Sequence, residues 1–169
     1  MRPPADTAAM EITSRHHLRS DAVRELETGL AERFGVDLDA DRYELVELSG
    51  SEVDLVLVDD EPLVAYFAED EPSLTVHGAN ATEPTGHIVT VDAGAISFVS
   101  DGADVMRPGI VEATDDIATG EVVLINEETH GKVLGVGRSR VEADELLGDE
   151  GKVVDSLHHV GDDLYAFEP

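Results

Sequence analysis

From residue 43 onward the apolar residues fall into short runs, each closed by a cluster of turn-forming residues. The first three runs are YELVEL (43–48), VDLVLV (53–58) and LVAYF (63–67). Short runs of this kind, alternating or continuous in apolar character and bounded by Ser, Gly, Asp and Pro, predict β-strands joined by tight turns. None approaches the roughly 20 apolar residues that cross a bilayer, so no membrane association is expected.

One earlier segment has the periodicity of a helix instead. Its apolar residues, spaced by three and four, are Val23, Leu26, Leu30 and Phe34. We expect Ser20 to cap the start of this helix and Gly35 to close its end. Residues 1–14 carry no such pattern; we assign 1–10 to a loose tail and 11–80 to a small α+β domain made of the helix and the three strands.

A second set of short runs follows HGANATEPTGH (77–87), a stretch rich in small and turn-forming residues. Strands are predicted at 87–91, 103–111, 121–126, 132–141, 152–160 and 164–167, and short helices at 94–99 and 142–147. Many short strands with Gly-rich turns favour a small closed or nearly closed barrel. The expected fold class is α+β, with a small N-terminal α+β domain followed by this barrel.

The chain has a large excess of acidic residues. Acidic residues number 38 and basic ones 11, which gives a formal net charge of -27. The acids are spread over both halves, and only Lys132 and Lys152 are lysines. Such a coat is typical of proteins that work in multimolar salt, where the Debye length is about 3 Å or less and self-repulsion is screened. It favours an extreme halophile as the source; a mesophilic acidic protein is the alternative.

Sequence motifs argue against an enzyme. The chain has no cysteine, and no G-x-S-x-G, H-E-x-x-H or P-loop motif occurs. GVGRSR (135–140) departs from the dinucleotide fingerprint because Arg140 stands where the third glycine belongs. The adjacent pairs His16-His17 and His158-His159 would point to opposite faces of a strand, which argues against a shared metal. We expect no catalysis, no cofactor and no metal, and the lack of a signal-peptide pattern favours a cytoplasmic protein.

Four ordered sequence blocks carry a family resemblance. They are VDAGAISFVSDGADVMRPGIV (91–111), IATGEVVLI (117–125), VLGVGRSRV (133–141) and VVDSLHHVGDDLY (153–165). With them, residues 87–167 resemble the PUA domain, the pseudouridine synthase and archaeosine transglycosylase module. The segment from SRHHLRSDAVREL (14–26) onward is similar to the domain preceding PUA in archaeal stand-alone PUA proteins, relatives of the eukaryotic malignant-T-cell-amplified-sequence translation factors.

The resemblance implies a PUA-type β pseudobarrel that binds RNA along its first helix and the adjoining loop and strands. Carried over to this chain, the RNA-binding residues are Gly94, Ala95, Ile96, Ser97, Val99, Met106, Arg107, Pro108, Gly109, His158 and His159. We add Arg138 and Arg140, which lie two apart on a predicted strand and so share a face, as phosphate or base contacts; solvated charges are an equal alternative. Ser97 stands where family members often have a basic residue.

The implied partners are structured RNA, either a tRNA end or small-subunit rRNA, and a translation-factor protein. Two other functions stay open. A protein-interaction adaptor would show an exposed apolar patch on the N-terminal domain and no cluster of arginines on the barrel. The specificity subunit of an RNA-modifying complex would co-purify with a catalytic chain.

The acidic coat predicts that the fold depends on salt. Dialysis of the protein into low salt should lower its free energy of unfolding, because carboxylate repulsion is then unscreened. Thermal unfolding followed by circular dichroism over a salt series would measure this. Full stability at roughly 0.1 M salt would contradict the halophile interpretation.

Overall fold

The computed structural model describes residues 10–169, so most of the predicted tail lies outside the described residues. The N-terminal part forms a five-stranded antiparallel sheet with strand order β1-β2-β3-β4-β5. Its strands are β1 (Ile12–His17), β2 (Tyr43–Leu48), β3 (Asp54–Val58), β4 (Glu61–Ala68) and β5 (Glu71–Leu74). Its helices are α1 (Ser20–Phe34) and α2 (Val76–Ala81).

Helix α1 spans the residues that the apolar periodicity predicts. Leu26, Leu30 and Phe34 are buried, and Gly35 closes the helix with a φ of 68° while its N–H bonds to the carbonyls of the last turn. The predicted cap is wrong by one position: Ser20 is the first helical residue, and Arg19 holds the cap position without a side-chain hydrogen bond. Along residues 10–169 no helix combines the length and apolar character that spanning a membrane requires.

The sequence pattern does not predict three elements of the N-terminal unit. Strand β1 begins inside the stretch we considered unpatterned, because a polar edge strand paired only with β2 needs no apolar alternation. Strand β5 has only four residues and contains Pro72. Helix α2 occupies the predicted turn-rich stretch; Thr75 caps it by accepting the Gly78 N–H at 2.9 Å.

The C-terminal part forms a barrel-like six-stranded sheet with strand order β7-β11-β10-β9-β6-β8, in which only β6 and β9 are parallel. Its strands are β6 (Ile88–Val91), β7 (Val105–Met106), β8 (Ile110–Ala113), β9 (Val122–Glu127), β10 (Val133–Ser139) and β11 (Lys152–His159). Its helices are α3 (Ile96–Ser100) and α4 (Asp163–Ala166). The α+β class and the barrel-like second sheet are therefore confirmed.

Two predicted strands of this part are corrected. The strand expected at 103–111 is interrupted by a 3-10 turn at Arg107–Gly109, because Pro108 fixes its own φ and has no N–H for a strand ladder. The strand expected at 164–167 is helix α4. Asp162 begins that helix by accepting the Tyr165 N–H at 2.8 Å, a capping signal that outweighs the apolar run after it.

The two sheets share one apolar core. A single buried cluster joins Phe34 of α1 and Leu74 of β5 to Leu124 of β9 and Val136 of β10. A second cluster fills the inside of the barrel, and a third covers the opposite face of the N-terminal sheet, where α4 contributes Leu164. The N-terminal sheet is therefore covered on both faces, by the barrel and α1 on one side and by α4 on the other.

We predict opposite effects for two helical glycines. A Cβ at Gly78 would lie 1.9 Å from the Leu63 carbonyl oxygen, so Gly78→Ala should lower the free energy of unfolding by about 2 kcal/mol or more. At Gly29 the nearest atoms, at 3.4 Å, are side-chain atoms of Arg33 and Pro72. Gly29→Ala should therefore be neutral or raise stability by up to about 1 kcal/mol through helix propensity. Chemical denaturation at fixed salt measures both, and equal stabilities of the two variants would contradict the packing of α2.

Candidate functional site

A cleft of about 750 Å³ opens on the barrel between α3 and β7. Val99 and Val105 lie at its base and belong to the barrel core. Phe98 and Met106 stand at its sides, 64% and 47% exposed. Large apolar side chains this exposed, and placed together around a concavity, mark a binding surface more often than a stability feature.

The backbone around the cleft is shaped by short-range contacts of small residues. Asp92 caps the 3-10 turn Ala93–Ala95 by accepting the Ala95 N–H at 3.0 Å. Gly109 passes so close to this turn that a Cβ on it would lie 3.2 Å from the Ala95 Cβ. Gly102 has a φ of 89° and packs against the His159 ring, where a Cβ would meet Nε2 at 2.7 Å. The glycines of this region therefore serve tight turns and close packing.

The cleft carries few charges. Lys152 is the one cation among its lining residues in the described part of the chain, and its ammonium lies 3.1 Å from the Asp104 carboxylate. A hydrogen bond from the Ser156 N–H, and then the Lys152 ammonium, lower the pKa of Asp104 against the effect of burial. Asp92 adds a second carboxylate. Across residues 10–169 no group of three or more His, Asp or Glu side chains could hold a metal ion.

About half of the predicted site residues meet at this cleft. Those lining it are Gly94, Ala95, Val99, Met106, Pro108 and Gly109. Ile96 and Ser97 lie on the same helix, half-buried and exposed respectively, outside the lining. Sequence reasoning missed Phe98 and Lys152. Phe98 could have been found as a large apolar residue on a short helix whose neighbouring Val99 is needed by the core.

Arg107 does not point into the cleft. Its Nε donates to the Glu145 carbonyl at 2.9 Å and its Nη1 to the Glu150 carbonyl at 3.0 Å. The side chain also packs closely on two glycines: a Cβ on Gly148 would lie 2.9 Å from the Arg107 Cδ, and a Cβ on Gly151 would lie 2.9 Å from its Nη1. The side chain therefore holds the loop between β10 and β11 against β7, which is a structural role.

Arg138 and Arg140 do not form the joint contact that their spacing suggested. Strand β10 ends at Ser139, so the alternation of faces does not extend to Arg140. The Nη1 of Arg138 donates to the Gly120 carbonyl at 2.7 Å, whereas Arg140 makes two hydrogen bonds to one Asp155 oxygen, at 2.9 and 2.6 Å. Each guanidinium is engaged with a separate partner within the protein.

His158 is buried and cannot be a surface contact, which corrects its assignment to the site. Its side chain is 0% exposed. Its Nε2 accepts the Val76 N–H at 3.2 Å, and its Nδ1 lies 2.8 Å from the Asp162 carboxylate. A ring nitrogen that accepts from an amide carries no proton at that atom, so the N–H of the ring is the Nδ1 that faces Asp162. It joins α2 to the last strand of the barrel.

His159, the next residue, is half-buried beside the cleft. Its Nδ1 lies 3.0 Å from the Ser100 carbonyl at the end of α3 and 2.9 Å from the carbonyl of its neighbour Val160. Its ring packs on Gly102. His159 thus supports the cleft from behind, and the two histidines have separate roles, as opposite faces of a strand require.

The comparisons with known proteins agree with this geometry. Residues 87–161 match the family model of the PUA domain. An uncharacterized protein of Methanocaldococcus jannaschii is 35% identical over 162 residues, which cover 94% of this chain and 99% of that protein. Translation machinery-associated protein 20 of Saccharomyces cerevisiae is 31% identical over 173 residues, which cover 93% and 94%.

Solved structures extend the comparison over the whole fold. A hypothetical protein from Pyrococcus horikoshii superposes with a TM-score of 0.81 at 26% identity, covering 90% of this chain and 98% of that one. A conserved PUA domain protein from Thermoplasma acidophilum gives 0.77 at 24%, covering 92% and 100%. Fold and cleft therefore define a PUA-domain protein with an N-terminal α+β unit. The chain belongs to the family of stand-alone PUA proteins that includes the Methanocaldococcus protein and translation machinery-associated protein 20.

The environment of Asp162 predicts a loss of stability in acid. Burial alone would raise its pKa, but hydrogen bonds from His158 and from the backbone of His159 and Tyr165 lower it. A carboxyl whose pKa is lower in the folded chain contributes stability above the unfolded value, about 3.9, and this contribution is lost as the pH falls through the folded pKa.

Asp162→Asn should therefore flatten the dependence of the melting temperature on pH below about pH 4. Thermal scans over a pH series at fixed salt measure this slope. Asp163→Asn is the matched control, because the neighbouring Asp163 is exposed. Equal slopes for the wild type and Asp162→Asn would show that the carboxylate is not held as described.

Proposed function

We propose that this protein binds structured RNA through the α3–β7 cleft, serves the translation machinery and carries out no catalysis. Its sequence similarity to translation machinery-associated protein 20 supports a role in translation. The observation that carries the proposal is that two exposed apolar side chains, Phe98 and Met106, line one cleft together with several glycines and alanines.

The lining of the cleft suits unpaired nucleotides. Every base has an apolar face, and stacking on an aromatic side chain is worth about 1–3 kcal/mol per base. Phe98 offers such a face, and Met106 adds a flexible apolar contact in the same cleft. Gly94, Ala95 and Gly109 let a sugar or phosphate approach the main chain closely. Lys152 supplies one ammonium for a phosphate, already oriented by Asp104.

The side chains that this proposal relies on differ in kind from the arginines that the sequence suggested. Stacking and backbone contacts replace the arginines, because Arg107, Arg138 and Arg140 are held by carbonyls and carboxylates of the protein itself. Such contacts are short-ranged and persist in concentrated salt, where counterion release contributes little to binding.

We infer that the ligand is an unpaired RNA segment, either the end of a tRNA or a single-stranded part of small-subunit rRNA. A double helix would present phosphates to a cleft that has one cation and two carboxylates. The setting we propose is the cytoplasm of an extreme halophile, with a translation-factor protein as a further partner.

A protein ligand is the second candidate function. Among residues 10–169 the exposed large hydrophobic residues all lie on the C-terminal side of residue 87: Phe98, Met106, Val111, Leu147 and Leu157. The adaptor hypothesis placed its apolar patch on the N-terminal domain, and the described residues 10–80 carry none of these side chains. An adaptor would thus use the same cleft, either alone or as the specificity subunit of an RNA-modifying complex.

We predict that Phe98→Ala and Met106→Ala each weaken RNA binding about tenfold, since each removes one stacking or apolar contact. Binding of single-stranded RNA would be followed by fluorescence anisotropy in multimolar salt. Val111→Ala is the matched control, because Val111 is an exposed apolar residue of the barrel outside this cleft.

The RNA itself would be identified by crosslinking in cells at their native salt, followed by sequencing. Recovery of tRNA ends or small-subunit rRNA, lost in Phe98→Ala, supports the proposal. Recovery of a protein partner with no specific RNA, also lost in Phe98→Ala, would replace RNA binding by the adaptor function.

A further inference from the structure

Met106 places an exposed thioether in the α3–β7 cleft. Its side chain is 47% exposed and lines the cleft together with Phe98. The chain has no cysteine and no tryptophan, so a mild oxidant acts first on the thioethers of its three methionines. Met10 is half-buried against the third apolar cluster, and Met1 lies outside the described residues. Along residues 10–169, Met106 is therefore the methionine more open to an oxidant in solution.

Lys152 lies directly across the sheet from Met106. The two residues are partners in the antiparallel pairing of β7 with β11, so their side chains share a face, and both line the cleft. The Lys152 ammonium lies 3.1 Å from the Asp104 carboxylate, which uses one of its three donors. A thioether is a weak hydrogen-bond acceptor, so in its reduced form Met106 competes little for the other donors.

We propose that Met106 is a site of reversible oxidation by a peroxide, and that its oxidation lowers the affinity of the cleft for RNA. This inference rests on the RNA binding proposed above. In the oxidation the sulfur attacks one oxygen of hydrogen peroxide, the O–O bond breaks and an S–O bond forms. The proton of the transferred oxygen passes to the departing hydroxide, which leaves as water. The sulfur thus loses two electrons to the peroxide and becomes a sulfoxide.

The sulfoxide changes the cleft in two ways. It is polar where the thioether is apolar, so a base or sugar that packs on Met106 would have to desolvate the new S–O dipole. Its oxygen is also a strong acceptor beside the Lys152 ammonium, where it competes with a phosphate for the remaining donors. Met106 is not part of the barrel core, so both changes act on the ligand and leave the fold intact.

The test treats the full chain with graded hydrogen peroxide in multimolar salt. Peptide mass spectrometry gives the oxidation rate of each methionine, and fluorescence anisotropy gives the affinity for single-stranded RNA. We expect Met106 to be oxidised faster than Met10, and bound RNA to slow the oxidation of Met106 alone. Oxidation should weaken RNA binding roughly tenfold or more. The affinity should return after treatment with the two stereospecific methionine sulfoxide reductases and a dithiol, which takes up the oxygen as water and becomes a disulfide.

Two variants separate the Met106 thioether from other effects of peroxide. Met106→Leu should show no change in affinity on treatment, whatever its starting value, whereas Met10→Leu should lose affinity as the wild type does. Faster oxidation of Met10, no protection of Met106 by bound RNA, or equal affinity before and after oxidation would overturn this inference alone. Absence of RNA binding by the untreated protein would overturn the proposed function as well, so the two failures are distinguishable.

Discussion

The structure depends on the burial of one face of the barrel against the N-terminal sheet and its helix. Val122 and Leu124 of β9 and Val136 of β10 are at most 2% exposed, although they point away from the barrel interior into the shared core. A small barrel exposing such a row to water would lose a large part of its hydrophobic stabilisation. The N-terminal unit supplies the missing surface through Phe34 and Leu74. The two units therefore need each other, and packing fixes their relative position more than the segment that joins them.

Polar side-chain contacts define the register of this packing. His158 accepts the Val76 N–H, the Asn80 amide pairs with both backbone groups of Val133, and His87 lies between Asp116 and Glu121 at 3.0 and 3.1 Å. The His87 ring also meets Phe34 edge to face, with ring centroids 5.8 Å apart. Apolar surfaces alone can slide, whereas directional bonds between buried groups are satisfied in one arrangement. His158, which the sequence suggested as an RNA contact, therefore serves the junction between the two units.

Elements with a strong apolar period could be predicted from the sequence, and those fixed by other forces could not. Strand β2 has the predicted bounds, and helix α1 begins one residue earlier than predicted, because their buried residues recur at the period of the element. Strand β1 and helix α2 carry no such period, since one is a polar edge and the other is made of small residues that approach β4 closely. At the site, the sequence block at 91–111 contains every residue that lines the cleft except Lys152. The sequence does not show that backbone carbonyls accept hydrogen bonds from Arg107 and Arg138, or that the Asp155 carboxylate accepts them from Arg140.

Screening by salt explains how so acidic a chain could hold an anionic ligand. In molar salt the Debye length is about 3 Å, so the charge of -27 is felt only over contact distances. An RNA at the α3–β7 cleft would meet what lies within van der Waals reach: the Phe98 ring, the Met106 thioether and one ammonium. The Asp104 carboxylate holds that ammonium at 3.1 Å, so its effect on a phosphate is to orient the cation more than to repel the ligand. Recognition of this kind selects unpaired bases over duplex, because stacking rewards an exposed ring face and phosphate density finds no matching cations.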